Sequence, residues 1–163
     1  MSKKQQLPPL TDQELSNYSR EHVVYELWMF RSVGEALISS LQMTQALRNA
    51  LIESFAIHLR NLIDFFYPTQ IQADDVVAAE FFDDSARWAT ISTISTTLSS
   101  ARVRAHKEVS HLTRKRIAGA PPEKSWNVGS LSEEIKSILR QFVASTSPQK
   151  IAPQLKSFAD SWN

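Results

Sequence analysis

An all-α fold, an up-and-down bundle of four main helices with additional short ones, is what this 163-residue chain predicts. Three observations carry the prediction. Apolar residues recur at spacings of three and four, the period of a helix buried along one side. Period-2 alternation is scarce and glycine occurs only three times, which disfavours a turn-rich sheet. Four long helical stretches with short connections then favour a bundle. The length suits one domain with a substantial core. Residues 11–145 are expected to form it, with 1–10 as a flexible arm and 146–163 as a tail with a short docking helix.

The first helix is expected at Thr11, where Glu14 three residues on completes a capping box. It continues through Leu15, Tyr18 and His22 and the run from Val23 to Leu41, with a bend at Gly34. Its middle is apolar on most sides, as suits a helix with several neighbours or a subunit interface. A second helix spans about Thr44 to Tyr67 and stops before Pro68. Leu47, Leu51, Phe55, His58, Leu62 and Phe65 form its inward stripe. A short helix is expected from Asp74 or Asp75, with acids at its positive end, and a further turn carries Trp88 as core anchor or lid. A long helix runs from about Thr90 to Ile117, its seam formed by Ile94, Leu98, Ala101, Ala105, Val109 and Leu112. The loop AGAPPEKSWNVGS follows, with Trp126 as an exposed aromatic or a bundle plug. Ser130 with Glu133 starts the next helix, which turns Leu131, Ile135, Ile138, Leu139 and Phe142 inward. The tail is expected to dock through Leu155, Phe158 and Trp162.

Composition excludes several function classes. With no cysteine there are neither disulfides nor thiolate metal sites, which suits a cytoplasmic location. The N-terminus MSKKQQLPPL lacks the apolar run of a signal peptide, and VVYELWMF holds a glutamate and is too short to span a bilayer. No membrane role is expected. The net charge of +1 is uninformative, but Arg102, Arg104, Lys107, Arg114, Lys115 and Arg116 crowd one segment against the single acid Glu108. Asp74, Asp75, Glu80, Asp83 and Asp84 crowd another.

On an uninterrupted helix Arg104 and His111, seven apart, point within about 20° of each other. Glu108 and Lys115 share their neighbourhood. A guanidinium beside an imidazole can bind a phosphate and move a proton, the minimal equipment of metal-free RNA cleavage. The flanking basic residues would supply a salt-sensitive hold on the strand. The same pattern is a common solvated helix rim, and both readings stand. His58 reads either as a hydrogen-bonded core histidine or as part of a polar pocket, with Asn61 its better-placed companion and Arg60 nearly opposite. No metal site or cofactor is expected, since three or four ligands would have to converge.

An all-α chain with R-x4–6-H on a late helix resembles the HEPN superfamily, and Arg104 and His111 are the matching residues. The resemblance implies a helical bundle, a dimer, and a composite metal-free ribonuclease site of toxin or antiviral type. In it His111 would transfer the proton and Arg104 would clamp the phosphate, with His58, Asn61 and Glu108 as supporting polar groups. Ala105 stands where that family commonly has Asn, Asp or His, and inactive members of the family serve as binding partners. Two functions are therefore expected side by side. One is a helical interaction module, a homodimer or a binder of another protein through its apolar first helix. The other is a HEPN-like ribonuclease with RNA as its partner.

Overall fold

Thr11 opens the first helix, α1 (Asp12–Tyr18). Its hydroxyl accepts the Glu14 N–H at 3.3 Å, and the Glu14 carboxylate accepts the Thr11 N–H at 2.8 Å. That reciprocal cap satisfies two amides that a helix start leaves without partners. The computed structural model to which this helix belongs describes residues 8–109 and 125–162. A π-helical turn, Ser19–Val23, follows and passes directly into α2 (Val24–Ile38). The expected run to Leu41 is thus interrupted at Ser19 and is continuous through Gly34. Ser19 explains the interruption. Its hydroxyl donates to the Ser16 carbonyl at 2.8 Å, competing with the helical ladder.

Helix α3 (Gln45–Phe66) lies where the sequence places it. The Thr44 hydroxyl accepts the Leu47 N–H at 3.2 Å at its start, and Pro68 bars its continuation. The helix expected at Asp74 or Asp75 does not form. The Asp75 carboxylate instead accepts the Gln72 N–H at 2.7 Å and closes a turn. A 3-10 turn, Ala78–Phe81, begins only after Val77, whose N–H the Glu80 carboxylate accepts at 3.0 Å.

The long helix expected from Thr90 is divided into α4 (Arg87–Ile91) and α5 (Thr96–Arg104). Hydroxyl side chains that compete for backbone partners account for the break. Ser95 caps α5 by accepting the Leu98 N–H at 3.0 Å and also bonds the Glu134 carboxylate. A second π turn, Ala105–Val109, follows α5. Helix α6 (Val128–Ser145) begins earlier than Ser130 because the Asn127 side-chain oxygen accepts the Ser130 N–H at 3.2 Å. Helix α7 (Pro153–Ser161) starts on a proline, whose missing N–H costs nothing there. Among the described residues the fold is all-α, without a strand, and no helix is long and apolar enough to cross a membrane.

The chain divides into two compact units. The first comprises Met1–Tyr25, Asp64–Thr93 and Ile138–Asn163. Its core is aromatic. Phe142 packs edge-on against Phe66, Phe81 and Trp88, each at 5.6 Å between ring centroids, and against Phe82. The Trp88 indole N–H donates to the Phe66 carbonyl at 2.7 Å, satisfying a group that the end of α3 leaves open. Trp88 is therefore an anchor and not a lid. The C-terminal segment buries Leu155, Ala159 and Trp162. Phe158 is half-buried, with its ring 5.7 Å from that of Trp162. The Ser19 hydroxyl accepts the Ala152 N–H at 2.9 Å, and the Arg140 guanidinium donates to the Trp162 carbonyl at 2.7 Å.

The second unit comprises Glu26–Ile63 and Ile94–Ser137. Leu27, Phe30, Val33 and Leu37 of α2 are buried, as are Phe55, Leu59, Leu62 and Ile63 of α3. Leu98, Ala101 and Ala105 form the expected buried seam, whereas Ile94 lies ahead of α5 and is only half-buried. Gly34 is where α2 meets its neighbours most closely. A Cβ there would stand 3.3 Å from the Phe55 ring and 3.4 Å from Val128 and from the Ser132 hydroxyl.

Candidate functional site

The second unit holds every sequence-predicted site residue whose side chain is described. Three features stand out: a polar cluster at His58, a stacked arginine at Arg104, and an exposed apolar turn.

His58 lies on the inner face of α3 and is 9% exposed. Its Nδ1 sits 2.7 Å from Glu26 Oε2 on α2, and the Asn61 carboxamide donates to the same oxygen at 3.2 Å. His58 and Asn61 are three residues apart, so helix geometry presents both to one acceptor. The contact to Glu26 fixes the orientation of the His58 ring. His58 is thus buried and hydrogen-bonded, and Asn61 shares its partner. Glu26 is the member that sequence reasoning missed. The available signal was an acid inside VVYELWMF, since a carboxylate in so apolar a run calls for a buried partner. Arg60 is half-buried.

Arg104 ends α5. Its guanidinium carbon lies 4.5 Å from the centroid of the Trp126 ring, and its Nη1 donates to the Ser125 carbonyl at 3.2 Å. Trp126 in turn packs edge-on to Phe55, which stacks on Phe30 at 4.7 Å. Trp126 is therefore half-buried against the core, nearer to the plug than to the exposed aromatic. Arg102 and Lys107 are half-buried close by in sequence. His111, Arg114, Lys115 and Arg116 lie outside the described residues, as does the side chain of Glu108. The π turn Ala105–Val109 changes the angular bookkeeping directly after Arg104, so the 100° per residue behind the Arg104–His111 pairing does not hold across it. Among the described residues no three His, Asp or Glu side chains are grouped to hold a metal ion.

The third feature is apolar. Ile38 at the end of α2 is 66% exposed, Leu41 in the connection 72%, and Leu47 in the first turn of α3 51%. Leu47 thus departs from the expected inward stripe, which takes hold only at Phe55. Gln45–Ala50, in the first helical turns of α3, are exposed throughout. Single exposed apolar residues are ordinary, but three large ones on and beside one short connection mark a surface suited to contact.

The chain matches no family model, no curated protein and no solved structure.

Proposed function

We propose that the protein is a helical interaction module whose contact surface is the α2–α3 connection. The observation that supports this reading is the exposure of Ile38, Leu41 and Leu47 on one short segment. The segment between α2 and α3 leaves large apolar side chains in water at a place where polar residues would serve a connecting turn equally well. A partner that covers them removes apolar area from water, the dominant favourable term in association. The test is a photo-crosslinking amino acid substituted at Leu41 in living cells. Covalent adducts at that position are expected. Irradiation that yields no adduct there would remove the reading.

A second reading, a HEPN-like metal-independent ribonuclease using Arg104 and His111, draws support from one arrangement. Arg104 is held by Trp126 and the Ser125 carbonyl, which fixes the position of a cation whose planar fork suits a phosphate. Cleavage of RNA by the purified protein in EDTA, lost in Arg104→Ala and in His111→Ala with helicity unchanged, is what this reading expects. Wild-type protein that leaves RNA intact would exclude it.

A further inference from the structure

We infer that the C-terminal helix α7 is a strap seated on the π turn Ser19–Val23, and that strap and turn open as one unit ahead of the rest of the fold. The seat is built by spacing. Leu15, Ser19 and Val23 are all buried, at successive intervals of four. On a regular helix each such interval carries the side chain about 40° further round, so Val23 would stand about 80° from Leu15. The π turn takes up this drift, because its hydrogen bonds reach one residue further along the chain, as from the Val24 N–H to the Ser19 carbonyl.

Ser19 is thereby held inside the first unit, where its hydroxyl both donates and accepts. It donates to the Ser16 carbonyl at 2.8 Å and accepts the Ala152 N–H at 2.9 Å. Ala152 is the N-cap of α7, so this buried bond ties the start of the strap to the turn, against which α7 also packs. Ile151, Ala152, Leu155 and Ala159 are buried along the docked segment. Each partner depends on the other. Nine residues are too few to hold a helix in water alone, so α7 needs its seat. A π turn is a rare form, and the bond from Ala152 is the long-range contact that favours this one. Losing α7 leaves a hydroxyl built into the interior without its donor, so the turn loses its support at the same moment. Seat and strap both belong to the first compact unit.

Amide hydrogen exchange on the full chain tests this, with one variant on each side of the contact. Ser19→Ala removes the hydroxyl from the seat and should speed exchange of the α7 amides about fivefold. Leu155→Ala weakens docking from the strap. It should speed the π-turn amides and the α7 amides alike, by about thirtyfold or more, while α6 keeps its wild-type rates. Acceleration of α7 alone, with the π-turn amides unchanged, overturns the inference, since the two would then open separately. Equal acceleration of α6 also overturns it, because α7 would then open only with the whole fold. Where Leu155→Ala fails to fold, Ser19→Ala decides. Wild-type rates in α7 then rule the strap out, and faster exchange in α7 and the π turn without α6 upholds it.

Discussion

Glu26 is the residue on which the polar interior of the second unit turns. One carboxylate oxygen takes hydrogen bonds from both His58 and Asn61, so its removal leaves a nearly buried imidazole without that acceptor. Leaving a buried polar group unsatisfied costs about 1–3 kcal/mol, and Glu26→Ala should lose stability in that range in chemical denaturation. Loss below a few tenths of a kcal/mol would mean that the cluster contributes nothing to the fold. Asp83 makes a different, pH-dependent contribution. Hydrogen bonds from the Ser147 hydroxyl and then from Lys150 hold its carboxyl below the ordinary aspartate range. A pKa lowered on folding gives stability that is present above the unfolded value and is lost as pH falls through the folded one. Acidification below the ordinary aspartate range should therefore weaken wild type more than Asp83→Asn, as read by urea midpoints across that window. Parallel midpoints in the two proteins would contradict the assignment.

At the scale of elements, Gly34 shows how a small residue sets helix approach. Alanine at this position would gain about 0.5–1 kcal/mol of helical preference. Its Cβ, however, would meet the Phe55 ring at 3.3 Å, and Phe55 is fully buried and stacked on Phe30, so it has little room to yield. Overpacking of about 1–3 kcal/mol should win, and Gly34→Ala should melt below wild type. A raised melting temperature would show that the Phe55 ring moves freely. The sequence announced helices by period and start signal, which is why α1, α3, α6 and α7 are legible in it. It hid the break at Ser92–Ser95 and the two π turns. The first π turn and the break follow from hydroxyl–carbonyl competition at Ser19 and from a long-range bond between Ser95 and Glu134, which no local pattern encodes. The acids at Asp74 and Asp75 were misleading for a related reason: a carboxylate that can cap a helix can equally close a turn, and only the surroundings decide.

For the whole molecule, the all-α class was written in the periodicity, while the most informative surface was not. Leu47 fits the helical stripe that continues through Phe55 and Leu62, and nothing in the spacing tells that it stands exposed. His58 and Asn61 were legible as neighbours on one helix, but their common partner Glu26 lies 32 residues from His58 in sequence. The site of the interaction reading thus emerges from burial. Photo-crosslinking in living cells tests this most directly. A probe at Leu41 should yield covalent adducts, whereas the same probe at Gln154, an exposed polar position on α7, should yield none. Adducts no more abundant from Leu41 than from Gln154 would contradict the account.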